Sequence, residues 1–99
     1  MSAVQWWLAV LGDTLIWARL TRRDDGIAEV FDSDGGILRY DDETAARMAL
    51  LDAEFRAFDG LDEDDAAALG FDLDSLEPPH GEDDDALLVQ MIAKLPPPH

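Results

Sequence analysis

The chain has 99 residues, 47% of them apolar, three tryptophans, no cysteine and a formal charge of −16. That length supports one modest core, and the apolar content excludes a chain disordered throughout. The missing thiols exclude disulfides and thiolate metal sites, and the charge argues against nucleic acid or anionic membranes as direct partners.

The first 20 residues are largely apolar but carry no basic leader, and Gly12-Asp13-Thr14 interrupts them. The run falls short of the ~20 apolar residues a membrane span requires. It is expected to form strands, in a protein of the cytoplasm. Residues 4–11 (VQWWLAVL) alternate with apolar side chains on both sides, which predicts a strand covered at least partly on each face. After a Gly12-Asp13 turn, Thr14–Arg22 returns as a second strand. Asp25-Gly26 is a strong hairpin signal. A third strand follows over residues 27–32, then a turn at Ser33-Asp34-Gly35-Gly36 and a short fourth strand, Ile37–Tyr40. Such short connections predict a four-stranded antiparallel meander over residues 4–40.

At Tyr40 the pattern changes to helical spacing. Asp41 or Asp42 suits a cap and Glu43 the first turn, and Ala45, Met48, Leu51, Phe55 and Phe58 recur at steps of three or four. This predicts a long helix over residues 42–58 lying on one face of the sheet. Asp62 is placed to cap a short helix ending at Gly70, with Phe71 as its apolar anchor. Pro78-Pro79-His80-Gly81 is expected to act as a linker. Residues 82–95 then form a last helix with a Leu88, Met91, Ile92, Leu95 stripe and Lys94 near its negative end. The expected fold class is α+β. Residues 1–77 form the core domain, 78–81 the linker, 82–95 the C-terminal helix and 96–99 a tail.

The charge is unevenly spread. Residues 1–40 hold six acids against four arginines, and residues 41–99 hold seventeen acids against Arg47, Arg56 and Lys94. Three acidic runs, Asp41-Asp42-Glu43, Asp62-Glu63-Asp64-Asp65 and Glu82-Asp83-Asp84-Asp85, each fall at an expected helix start. Capping explains one or two acids per run and leaves a surplus. Asp32, Asp34 and Glu43 imitate the spacing of a calcium loop, but Ile37 stands where that loop requires glycine, so no metal is expected. His80 and His99 lie in no triad or ligand spacing, and Ser2, Ser33 and Ser75 lack a nucleophile context. Neither a catalytic centre nor a cofactor is expected. Arg outnumbers Lys six to one, as a GC-rich bacterial or archaeal genome would favour.

Trp6 and Trp7 are adjacent on a strand and must point to opposite faces. If Trp17 pairs opposite Trp7, the two form an aromatic patch on whichever face the helices leave open; packing of the C-terminal helix there would make it second-face core. The functional expectation is a non-enzymatic regulatory or interaction protein that offers a negative surface to a basic protein partner. The contact residues would be Asp62, Glu63, Asp64, Asp65, Asp83, Asp84 and Asp85, with Trp7 and Trp17 as apolar anchors or as the seat of a homodimer. Two alternatives are a nucleic-acid mimic that inhibits a DNA- or RNA-binding protein and an acidic soluble domain with no specific charged partner.

Overall fold

A computed structural model of the chain describes residues 3–70 and 76–94. It is a small α+β fold, an antiparallel sheet with a few helices. Strands β1 (Ala3–Leu11), β2 (Thr14–Arg22), β3 (Ala28–Phe31) and β4 (Ile37–Tyr40) run in the spatial order β4-β3-β2-β1. Gly12, at φ +63, allows the two-residue turn whose flanks pair Leu11 with Thr14. Such tight hairpins need a left-handed backbone that L-residues adopt reluctantly.

Two further strands complete the sheet. β5 (Arg56–Ala57) pairs with β1 at Trp7 and Leu8. β6 (Ile92–Lys94) pairs with β2 over Thr14–Ile16, on the edge whose other end β3 occupies from Arg19 to Arg22. The Trp17 amide donates to the Met91 carbonyl at 2.8 Å, which joins the two ladders.

Helix α1 (Glu43–Asp52) is capped as expected, the Asp42 side chain accepting from the Ala45 amide at 2.7 Å. It is shorter than predicted. The Phe55 amide donates to Leu50 and that of Glu54 to Leu51, a Schellman arrangement with Glu54 in the left-handed conformation at φ +68. Residues 53–58 therefore leave the helix and cross the sheet edge through β5. Extending the helical period through Phe55 and Phe58 consequently mis-set its phase. Met48 and Leu51, expected in the core, are 61% and 54% exposed, while Ala46 and Leu50 are buried. Phe55 packs with the α1 core and Phe58 with the core on the opposite face.

Helix α2 (Glu63–Leu69) starts at a capping box between Asp62 and Asp65 and ends at Gly70, φ +93. Its expected anchor, Phe71, lies outside the described residues. The C-terminal helix is also shorter than predicted: α3 spans Asp84–Leu88, and a turn at Val89–Gln90 leads into β6. Of the predicted stripe, Met91 is buried and Ile92 is exposed, and Lys94 meets Asp13 at 3.6 Å from a strand position. Pro79 is buried, and Gln90 binds both backbone groups of His80, accepting at 3.3 Å and donating at 2.7 Å. Residues 78–81 are thus tied to the segment that follows α3.

The sheet is covered on both faces. One core joins Trp7, Ala18, Leu20, Ala28 and Val30 to Ala46 and Leu50 of α1. The other joins Leu8, Leu15, Trp17 and Phe31 to Ala66 of α2, Leu87 of α3 and Met91. Leu50→Ala is expected to cost about 2–5 kcal/mol, whereas Met48→Ala should stay within about 1 kcal/mol. Urea denaturation of the two variants checks this, and equal losses would contradict the observed phase of α1.

Candidate functional surface

The two tryptophans proposed as a shared anchor do not share a surface. Trp7 stands opposite Ala18 and Trp17 opposite Leu8, so the side chains point to opposite faces of the sheet. They are 1% and 2% exposed, respectively. Trp17 meets Phe58 edge-on at 5.3 Å and Trp6 at 6.1 Å, while the Arg47 guanidinium lies 5.7 Å from the Trp7 ring. Both are core residues, and the expected exposed aromatic patch is corrected accordingly. The alternative, second-face packing of C-terminal chain over Trp17, is what the structure shows.

The acidic residues divide by task. The Asp62 side chain accepts from the Asp65 amide at 2.8 Å, and Asp65 reciprocates with the Asp62 amide at 3.4 Å. Asp83 accepts from the Ala86 amide at 2.8 Å. These carboxylates satisfy free donors of the first helical turn. Asp84 forms an ion pair with Arg19 at 3.0 Å. Arg19 is itself mostly covered; its guanidinium lies 5.0 Å from the Phe31 ring, and its buried Nε has no hydrogen-bond partner among the described residues. This pair pins the start of α3 to β2. Among the described residues Glu63, Asp64 and Asp85 make no such contact, and all three are exposed. They are the surplus that capping leaves over.

Because α2 and α3 bury Ala66 and Leu87 in one core, both acidic helix starts lie on the same side of the sheet. Cations do little to offset them. Of the seven lysines and arginines, Arg19, Arg22, Arg23, Arg39 and Lys94 are already in ion pairs with Asp84, Glu43, Asp25, Glu29 and Asp13. These bonds are mostly exposed, worth ~0–1 kcal/mol each, and they leave the net charge uncompensated. Gln5 of β1 donates to Glu43 at 2.8 Å, which ties the Asp41-Asp42-Glu43 run to the sheet face that α1 covers.

Two clefts flank β5 along the outer side of β1. One, of about 310 Å³, lies beside Ala9 and Val10 with Leu51, Phe55 and Leu69 around it and Glu54 and Arg56 as its ionisable groups. The other, of about 320 Å³, is bordered by Gln5, Trp6, Arg47, Ala57, Asp59 and Gly60. Each therefore offers one carboxylate and one guanidinium, and among the described residues no hydroxyl or imidazole lines either cleft. Asp32 and Asp34 do not converge with Glu43 as a calcium loop would require. Asp32 Oδ1 instead accepts the amides of Asp34 and Gly36, at 3.0 and 3.3 Å, and shapes the β3–β4 turn. Among the described residues no group of three or more His, Asp or Glu side chains is arranged to hold a metal, and no helix is long and apolar enough to cross a membrane.

Comparison with protein-family models, with curated proteins and with solved structures returns no match. Asp62→Ala, which removes the side-chain half of the α2 capping box and leaves the residue-62 amide free to donate to Asp65, is expected to cost about 1 kcal/mol, and Asp64→Ala under about 0.5 kcal/mol. Thermal melts of the two variants check the division between capping and surplus acids.

Proposed function

We propose that this is a non-enzymatic interaction protein whose α2–α3 side offers a negative surface to a basic protein partner. The observation that carries the reading is the surplus: Glu63, Asp64 and Asp85 are exposed on that side, and among the described residues neither a cap nor a cation engages them. Their first-turn positions suit the helix dipole, worth ~0.3–1 kcal/mol each, but such acids on one side of the sheet also repel one another, so the dipole alone gives little reason to gather so many. Asp62, Asp65, Asp83 and Asp84 lie beside them and add to the same field while serving the fold. Trp7 and Trp17 have no part in it, since both are buried.

Such a field steers a basic partner over roughly a Debye length, ~8 Å at physiological salt, and acts mainly on the association rate. The triple change E63Q/D64N/D85N removes the surplus and leaves the caps and the Arg19 pair intact. Against a basic partner recovered from the native lysate, it is expected to slow association about fivefold at low salt with little change in the dissociation rate. The difference should shrink as salt rises. Stopped-flow or surface-plasmon kinetics read both rates. An unchanged, salt-independent association rate would overturn the proposal, and competition by DNA or RNA for the same partner would turn it toward nucleic-acid mimicry.

A further inference from the structure

The edges of this sheet are treated unequally. The outer side of β1 is met by β5 at Trp7 and Leu8, and the outer side of β2 is shared by β3 and β6. Among the described residues β4 pairs only with β3 and ends the sheet on that side. Native edges are usually blunted by short length, charge, bulges or covering chain, because bare backbone groups recruit another strand. β4 is four residues long and carries Arg39, yet Ile37 and Leu38 on it are 50% and 52% exposed.

The hydrogen-bond alternation identifies which backbone groups are free. In an antiparallel ladder, residues bonded to the partner alternate with residues whose N–H and C=O point away. The Asp32 amide donates to the Gly36 carbonyl at 3.2 Å, which sets the phase of the β3–β4 ladder. Leu38 and Tyr40 therefore bond inward to Val30 and Ala28, and Ile37 and Arg39 turn both backbone groups outward. The β2–β3 ladder gives the same phase independently: the Arg23 amide donates to Ile27 at 2.8 Å, which leaves Ala28 and Val30 facing β4.

The charges around this edge select its occupant. Asp34 precedes the strand and Asp41 follows it; both are exposed, and neither side chain is engaged among the described residues. Arg39, the cation on the edge, is neutralised by Glu29 at 3.3 Å. A second copy meets long-range repulsion, since each chain carries a charge of −16, so the edge favours a cationic partner over its own like. Nucleic acid is repelled by the charge of −16.

We infer that β4 is a docking edge for an extended segment of a basic protein, one with an apolar centre and lysine or arginine at both ends. The segment adds as an outer strand. Its backbone bonds Ile37 and Arg39, its apolar residues cover Ile37 and Leu38, and its cations meet Asp34 and Asp41. The inference takes the sign of the partner's charge from the function proposed above but uses a different surface, so the two can fail separately.

The probe is a synthetic peptide with two lysines at each end of a Val-Thr-Val-Thr centre, titrated into the full chain. At saturation, amide hydrogen exchange at Ile37 and Arg39 is expected to slow, with the amides of Leu38 and Tyr40, already bonded inward, changing less. Ile37→Pro removes one outward donor at the first position of an edge strand, where proline is tolerated, and should weaken binding about tenfold. Ile37→Ala keeps the donor and should weaken it less than about threefold. Slowed exchange at Ile37 and Arg39 that persists in the E63Q/D64N/D85N protein supports the edge independently of the α2–α3 surface. Unprotected amides at saturating peptide, or an Ile37→Pro protein that folds and binds as tightly as the parent, would overturn the inference. Peptide binding abolished by the triple change, with no protection at β4, would overturn it too while leaving the acidic-surface proposal standing.

Discussion

The pairing of Trp7 with Ala18 and of Leu8 with Trp17 sets the side of the sheet on which every other element must pack. Side chains alternate along a strand, so a slip of one residue would exchange the two faces and expose most of what is now buried. With this register, Trp7 and Leu20 call for a cover on one side and Leu8, Leu15 and Trp17 call for one on the other. A single helix can supply only the first. The chain after α1 must therefore cross the sheet edge, and β5 is the crossing point: Ala57 pairs with Trp7, and Phe58 is already against Trp17 on the far face.

The second cover is built from little material. α2 has seven residues and α3 has five, too short to be stable alone, and Ala66 and Leu87 are their buried residues. Their starts are held by Asp62, Asp65 and Asp83, and α3 is fixed to β2 through Asp84 and Arg19. Acids at these positions thus make short helices possible on this face, and the same placement collects negative charge there. Structure and charge are linked in this way. The capping requirement accounts for the location of the field, and Glu63, Asp64 and Asp85, which cap and pair with nothing among the described residues, account for its excess.

Local chemistry was legible in the residues, and non-local packing was not. The turns at Gly12 and Gly26, the Asp42 cap and the Asp62 and Gly70 ends of α2 each depend on a few neighbouring residues, and each is where its sequence puts it. The end of α1 was hidden because its left-handed residue is Glu54, where glycine or asparagine would normally signal the stop. Carrying the period on to Phe55 and Phe58 then assigned Met48 and Leu51 to the core. β6 was hidden because Leu88, Met91 and Ile92 fit a helical stripe as well as a turn followed by a strand, and only the open half of β2's edge decides between them. The acidic residues were visible at once, but their division into caps, an ion pair and a surplus required the geometry. For Trp7 and Trp17 it was the hairpin register, not the composition, that separated two cores from one exposed patch.

The hairpin register divides the tryptophans between two separately covered faces, and nuclear Overhauser contacts from the indole protons report that division. Cross-peaks are expected from Trp7 to Arg47 on α1, and from Trp17 to Phe58 and Trp6, with none between the Trp7 and Trp17 rings. Cross-peaks joining Trp7 and Trp17 to each other, or both to α1, would contradict that division.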